Sequence, residues 1–536
     1  MQINENDQNP LLCEESNSDE EDLNDKNVAN TVDGALLKSG TFGRYQIVLL
    51  LSYFLVFRNA YLFQSLITYF VADDAPWACR NMNVSSFCNK GPFREGDDLF
   101  TRRCSLSRNQ WNYLSPKTYS FTTEFDLVCK EQYLKALSTG LFFVGCLVGA
   151  LFSGQLADMY GRKPIIISSY LLEVVASFCG YFITSVWQYL FLRVLIGISY
   201  GTLSIVTFIL FLEFVHPRSR GWATNVMFFG YTFSLLVLTW IAYNVRYWRK
   251  VVLISSLFPL LGFLSSWLLM ESPYWLSSKQ RYEKAEAVLQ SIAKFNRKKY
   301  DICLKRVESN VHSNEIRSTV KQYSYYHLLN NMRVLLLTLF QAWLWLALGL
   351  IFFSIALESS KLGGDFYTNF ILSSLADVPG YVITIISSIY VGRKKVMFSN
   401  VLVCSLLLFI IGIVPHHFTK ARITLAIISR VFATVAYNTL GLWTFEIFPT
   451  VIRSQGTSFC EVFTRIGSTA APFLTTILQD VSPKLPFFLM GGFAVVGAVF
   501  ALFLPETINK PTREHYKDML SNTVVVRKMQ INSEEE

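Results

Sequence analysis

The sequence predicts an all-α membrane protein: twelve transmembrane helices in two six-helix bundles, with a disulfide-bearing extracellular loop after the first helix. Composition, the length of the apolar runs and an internal repeat together predict it. The 536 residues are 52% hydrophobic and 15% aromatic but only 16% charged, with a mean hydropathy of +0.33. A water-soluble domain carries about 25% charged residues, so the bilayer is the expected solvent. The net charge of +9 comes from 48 basic and 39 acidic residues. The basic excess lies in loops and forms no arm interleaved with aromatics, which argues against a nucleic-acid partner. No P-loop string, His-Glu-x-x-His or Cys-x-x-Cys occurs, so no cofactor, resident metal or enzyme chemistry is expected. His416-His417 stands in a loop without acidic or cysteine company and reads as solvated.

A helix needs about 20 mostly apolar residues to cross the hydrocarbon core. Runs of that length fall near 47–71, 134–156, 165–185, 187–210, 222–243, 250–270, 334–357, 367–390, 396–415, 422–444, 455–478 and 485–504. The expected division is an acidic cytoplasmic tail over 1–46, a first bundle over 47–270, a cytoplasmic linker over 271–333, a second bundle over 334–506 and a cytoplasmic tail over 507–536. The tail at 1–40 is acidic and polar, so the first span itself serves as the insertion signal.

Two long polar inserts set the orientation. The insert at 73–132 holds Cys79, Cys88, Cys104 and Cys129 and the sequon Asn83-Val84-Ser85, which suits an oxidising, glycosylating compartment. Three disulfide pairings are open. The linker at 271–333 holds a dozen Lys and Arg, the excess expected on the cytoplasmic side. Short loops discriminate little, because Arg246, Arg249 and Lys250 fall on the outer side.

The two groups of six spans carry the same charged marks in the same order. Gly161-Arg162-Lys163 recurs as Gly392-Arg393-Lys394, Arg193 as Arg430, Glu213 with Arg220 as Glu446 with Arg453, and Glu271 as Glu506. A parallel repeat places two similar bundles about an axis along the membrane normal, with a cavity between them. That is the architecture of an alternating-access carrier. Asp158, Arg162, Glu213, Arg220, Glu446 and Arg453 sit where spans end, and are expected to pair between the bundles when the cytoplasmic side closes. Asp158 and Arg162, four apart, can also pair locally.

The string Gly154-Gln-Leu-Ala-Asp158-Met-Tyr-Gly161-Arg162-Lys163 resembles the signature between spans two and three of the major facilitator superfamily. More narrowly, the chain resembles solute carrier family 22, the organic cation, anion and zwitterion transporters, from about Phe42 to Thr507. The residues that carry the resemblance are Phe42-Gly43-Arg44-Tyr45-Gln46, Thr123-Glu124-Phe125-Asp126-Leu127-Val128-Cys129, Glu271-Ser272-Pro273-Tyr274-Trp275-Leu276, and Leu362-Gly363-Gly364 with Tyr367 and Asn369-Phe370. To these add Glu446-Ile-Phe-Pro449-Thr450 with Arg453 and Gly456, and Pro505-Glu506-Thr507. Tyr274 replaces a usual Arg, and Ile389 stands where the second-half signature often has Asp, which implies a thinner cytoplasmic charge network. Phe352-Phe353-Ser354 takes the place of the family's Tyr-Tyr-Gly.

Ionisable groups inside spans mark a substrate or ion path by default. By resemblance, Asp377 in span eight matches an acidic position facing the central cavity, where a carboxylate attracts an amine; Trp345, Phe352 and Phe353 add cation–π contact. The alternative is a carboxylate satisfied by neighbouring spans. Arg465 in span eleven stands where the family's cation carriers have an acid and its anion and carnitine-type carriers have Arg. A guanidinium suits a carboxylate, although Glu461 lies one helical turn away and competes. Asn59 matches a cavity Asn of related carriers, Arg58 and Glu173 are unusual and can pair with each other, and Arg193 and Arg430 read as structural.

An acid and an arginine in one cavity suit a zwitterion, so a carnitine-like zwitterion or an organic cation is the expected substrate, with an organic anion as the alternative. A non-transporting receptor or sensor on a carrier fold is the alternative of another class. Asp7-Gln-Asn-Pro-Leu11-Leu12 resembles an acidic dileucine signal read by sorting adaptors. The plasma membrane is the first expected location, and an endosomal, lysosomal or vesicle membrane the second.

Overall fold

The computed structural model describes residues 42–72, 74–80, 91–93, 99–116, 119–215, 217–298, 330–359, 366–415, 418–448, 453–482 and 484–508, with Val32, Leu36 and Cys88. The dileucine string, the sequon at Asn83 and His416-His417 lie outside the described residues, as do the side chains of Arg220, Ile389 and Arg453.

Among the described residues, twelve long helices form the body. The first half holds α1 Arg44–Leu66, α2 Tyr133–Tyr160, α3 Arg162–Cys179, α4 Val186–Glu213, α5 Pro217–Val245 and α6 Trp248–Ser266. The second holds α7 Met332–Ser359, α8 in two segments Phe366–Leu375 and Asp377–Tyr390, α9 Arg393–Ile413, α10 Thr419–Ile447, α11 Arg453–Val481 and α12 Leu485–Phe503. Ten of these described helices are long and apolar enough to cross a membrane. The remaining two, α3 and α11, carry Glu173 and the Glu461/Arg465 pair.

Local irregularities have local causes. A π-helical turn, Tyr53–Phe57, widens α1, and the Asn59 amide just beyond it donates to the Phe54 and Leu55 carbonyls at 2.9 and 2.8 Å. The break in α8 at Ala376 precedes Pro379, whose ring clashes with the carbonyl four residues back and supplies no N–H.

Each half packs around its own core. Leu344, Leu348, Met397, Leu408, Trp443 and Met490 centre the second; Phe57, Tyr170, Leu203 and Leu210 centre part of the first. In a bilayer, helix association rests on close packing rather than on escape from water. Accordingly α2 and α4 touch through glycines: a Cβ at Gly145 would strike the Val194 carbonyl, and one at Gly197 the Phe142 carbonyl. Between the halves, α2 lies on α11 and α5 on α8. Toward the end of α1 that bears the loop, Phe70 meets Phe366 and Phe370, Tyr243 meets Tyr367, and Gly140 abuts Phe473.

The loop after α1 folds on a small hairpin, β1 Trp77–Cys79 against β2 Trp111–Tyr113, around Trp77, Phe93, Phe100 and Trp111. Of the three pairings open in the sequence, the structure forms Cys79–Cys88 and Cys104–Cys129. Two ion-pair clusters fasten this cap to the helices. Asp74 accepts from Arg103 at 3.2 Å and from Lys135 of α2 at 2.9 Å. Burial alone would raise the Asp74 carboxyl, but these two cations hold it below the ordinary carboxylate range. Glu124 accepts from Trp248 Nε1 and Arg249 Nη2 of α6, both at 2.6 Å, and Arg249 also bonds the Tyr181 and Ile183 carbonyls.

The linker is not structureless. Helices Pro273–Ser278 and Tyr282–Phe295 follow α6, the second burying Ala285, Leu289 and Ile292 on one face. That three-to-four spacing is readable in the sequence but masked by the surrounding charge.

Candidate functional site

Asp377 opens the second segment of α8 and is fully buried. Its Oδ1 accepts from Arg430 Nε at 2.8 Å and Thr434 Oγ1 at 2.6 Å, and its Oδ2 from Arg430 Nη2 at 3.0 Å. Arg430 also donates Nη1 to the Phe352 carbonyl at 2.8 Å, and its guanidinium lies 3.6 Å from the Phe352 ring centroid. Of the two readings open for Asp377, this arrangement favours a carboxylate satisfied by neighbouring spans. The arginine read as structural neutralises it, and the same arginine occupies a face of Phe352. Two residues 53 apart in sequence meet only once α8 and α10 pack together, which no local pattern announces.

Asn59 and Trp345 are also engaged inside their bundles. Besides its two carbonyl partners, Asn59 accepts from Ser234 Oγ at 2.6 Å, so its polar atoms are used within the first half. Trp345 donates Nε1 to Thr444 Oγ1 at 3.0 Å and meets the Tyr437 ring edge-on. Phe353 reaches across the midline to Phe143, with centroids 4.9 Å apart.

Two arginines remain at the interface. The Arg58 guanidinium lies 6.0 Å from the Phe228 centroid and within electrostatic reach of Tyr61, Tyr53, Tyr381 and Tyr200. Among the described residues, no carboxylate pairs with it and its Nε has no hydrogen-bond partner. Arg465 sits 3.6 Å from Glu461 Oε1, beyond hydrogen-bond distance, and 5.7 Å from the Tyr200 centroid. Tyr200 of α4 and Tyr437 of α10 each lie within electrostatic reach of both arginines, so Arg58 and Arg465 stand near the same two rings, one from each half. Aromatic contacts also join the halves: Phe228 and Phe229 on Tyr381, and Tyr231 on Phe352.

Glu173 does not join Arg58. It is fully buried in α3, and neither carboxyl oxygen meets a hydrogen-bond partner among the described residues.

Comparison with known proteins gives this arrangement its context. Residues 98–519 match the family model of the sugar (and other) transporters. Organic anion transporter 3 of Homo sapiens is 32% identical over 412 residues, 76% of each chain. Solute carrier family 22 member 6-A of Xenopus laevis is 29% identical over 417 residues, 77% of this chain and 74% of that one. The chain belongs to solute carrier family 22 of the major facilitator superfamily. It is a multi-pass membrane transporter and not an enzyme. Solute carrier family 22 member 21 of Mus musculus is 28% identical over 444 residues, 81% of this chain and 78% of that one. In fold, the carrier is similar to the xylose transporter XylE of E. coli in a partially occluded inward-open form, with a TM-score of 0.57 at 16% identity over 85% of this chain and 100% of that one.

Among the carrier's repeated charges, the local Asp158–Arg162 pair expected from the spacing is present. Arg162 meets Glu213 at 3.2 Å and Asp158 at 3.0 Å, and Arg393 meets Glu446 at 3.0 Å. All three pairings lie inside one half. Glu271 accepts from the backbone N–H of Arg162 and Lys163, and Glu506 from those of Arg393 and Lys394. Gly161, with φ of +106°, and Gly392 leave room for these carboxylates, since a Cβ at either would press on the glutamate. The second half lacks a counterpart of Asp158, because residue 389 is Ile; there the Thr507 hydroxyl bonds Glu446 instead.

Sequence reasoning missed the tyrosines of the central space, Tyr200, Tyr231, Tyr381 and Tyr437. The 15% aromatic content signals a ring-rich interior but does not say which rings face the other bundle.

Proposed function

We propose that this carrier moves organic anions across the plasma membrane by alternating access, with Arg58 and Arg465 attracting the anion and the surrounding rings accepting its apolar body. The observation that carries the reading is the charge balance of the central space. Asp377 is neutralised by Arg430, Arg58 has no carboxylate partner among the described residues, and Glu461 is 39% exposed and only loosely opposed to Arg465. Two guanidinium groups against one carboxylate leave the space positive, and a charge in low-dielectric surroundings favours its opposite strongly. The similarity to organic anion transporter 3 supports the same choice.

A zwitterion is the second reading, favoured by Glu461, which offers a carboxylate to an ammonium while Arg465 holds the other end. The aromatic contacts of Phe70 and Tyr243 across the loop-bearing face support a carrier closed on that side. Opening it requires those contacts to part.

Uptake of a labelled hydrophobic carboxylate, carnitine and tetraethylammonium into cells tests the reading. The carboxylate is expected to enter, and Arg465→Ala to lower its uptake at least about tenfold at unchanged surface expression. Carnitine uptake that falls in both Arg465→Ala and Glu461→Gln supports the zwitterion. Entry of tetraethylammonium alone defeats both readings.

A further inference from the structure

Arg193 raises a problem that the central space does not solve. It lies in α4 within the first half, 1% exposed, and donates Nη1 to the Gln64 carbonyl at 2.6 Å. One face of its guanidinium rests on Phe142, 4.6 Å from the centroid. Its Nε and Nη2 have no hydrogen-bond partner, and no carboxylate pairs with it among the described residues. An unpaired charge in such surroundings is costly.

Beside it lies a small cavity between α1, α3, α4 and α6, lined by Gln64, Ser177, Gly180, Tyr189, Arg193 and Val252, with room of about 10 Å³. That is close to the space one water-sized body occupies. The polar groups around it are alike in kind. The Ser177 and Tyr189 hydroxyls are buried without an acceptor in hydrogen-bond geometry, as are the two free guanidinium nitrogens. The Thr68 hydroxyl lies beside that of Tyr189 and can share one hydrogen bond with it, which still leaves Ser177 and the two guanidinium nitrogens without an acceptor. Each group has a proton to give, and the nearby backbone acceptor, the Gln64 carbonyl, already takes the Arg193 Nη1 proton. A water accepts only two hydrogen bonds and leaves the positive charge uncompensated. A spherical anion accepts from every direction and supplies the missing negative charge.

We propose that the first bundle holds a small monovalent inorganic anion of about chloride size against Arg193, with the Ser177 and Tyr189 hydroxyls as its further donors. The site is separate from the space between the halves, and it gives Arg193 the counter-charge that Asp377 gives Arg430. It makes the fold of the first bundle dependent on halide.

The test uses the full-length purified carrier exchanged into sodium gluconate, titrated with sodium chloride and sodium bromide while thermal unfolding is followed. Halide is expected to raise Tm saturably. Because Arg58 and Arg465 are a second place for an anion, the titration is repeated in an Arg58→Gln/Arg465→Gln background, where the rise should persist. Ser177→Ala/Tyr189→Phe should raise the half-saturating halide concentration about tenfold or more, the expected loss for hydrogen bonds to a charged group. Should that pair fail to fold, Tyr189→Phe alone carries the test, since it keeps the ring packed on Phe121. Absence of a halide effect in the wild type overturns the proposal in favour of water. So does an effect that vanishes in the Arg58/Arg465 background, or one that ignores the hydroxyl variants.

Discussion

Arg430 and Arg193 occupy matching places in the two halves, and their surroundings differ. Each donates Nη1 to a carbonyl of the first helix of its own bundle, Phe352 in α7 and Gln64 in α1, and each lies against a phenylalanine ring. Arg430 also has a bidentate carboxylate, while Arg193 has none among the described residues. The repeat therefore preserves a geometric frame without preserving its charge. The second half is neutral at its centre, so Asp377 does not offset the arginines between the halves, and in the proposed reading Arg58 and Arg465 are the groups that attract the substrate.

The sharpest way to break this comparison is to remove the counter-charge. Asp377→Asn leaves Arg430 buried and unpaired and is expected to cost about 3–5 kcal/mol, read from thermal unfolding of the purified carrier. In halide-free gluconate, Arg193→Gln removes a charge that has no carboxylate partner among the described residues and should cost less. A larger loss for Arg193→Gln than for Asp377→Asn would show that the two centres are not related as described.

A smaller effect is expected in the central space. Arg465→Ala should lower kcat/KM for a hydrophobic carboxylate by about 2 kcal/mol in transition-state terms. Glu461→Gln removes the competing carboxylate and should strengthen carboxylate binding a few-fold. Equal losses from both substitutions would mean that Glu461 and Arg465, which face each other along one turn of α11, act as a pair and not as competitor and site.

At the span ends, Glu213→Gln and Glu446→Gln each break a pairing inside one half, and each should destabilise its own bundle by about 1 kcal/mol. Cross-linking of the two faces should report unchanged proportions of the inward and outward forms. A shift of those proportions would show that the carboxylates also act between the halves in another state.

The least effect concerns pH. The Asp74 carboxyl is held below its unfolded value by Lys135 and Arg103 against the opposing effect of burial. A depressed folded pKa contributes stability that is present above the unfolded value, near pH 4, and is lost as pH falls through the folded value. Unfolding of the loop cap should therefore become easier below about pH 4, and Asp74→Asn should remove that acid sensitivity. An acid limb retained in Asp74→Asn would place it elsewhere.

The twelve helices, the two halves and the family were legible in the sequence because each has a local signature: apolar length, repeated marks such as Gly161-Arg162-Lys163, or strings such as the one ending at Cys129. The site was legible only in part. Arg465 and its competitor Glu461 share one helix, so their spacing already stated their rivalry. Asp377 and Arg430 lie on different helices, as do Glu173 and Arg58, so neither the pairing of the first two nor the lack of one between the second two could be read from spacing. The disulfide pairing was hidden for the same reason, since only the folded cap brings Cys79 to Cys88 and Cys104 to Cys129.

The most direct test is equilibrium binding of a labelled hydrophobic monocarboxylate to the purified carrier, its Arg465→Ala variant and its Glu461→Gln variant, with tetraethylammonium as competitor. Recognition by Arg58 and Arg465 predicts binding to the wild type, about tenfold weaker binding to Arg465→Ala, tighter binding to Glu461→Gln and no displacement by the cation. Carboxylate binding that is unchanged in Arg465→Ala, or that the cation displaces, would contradict it.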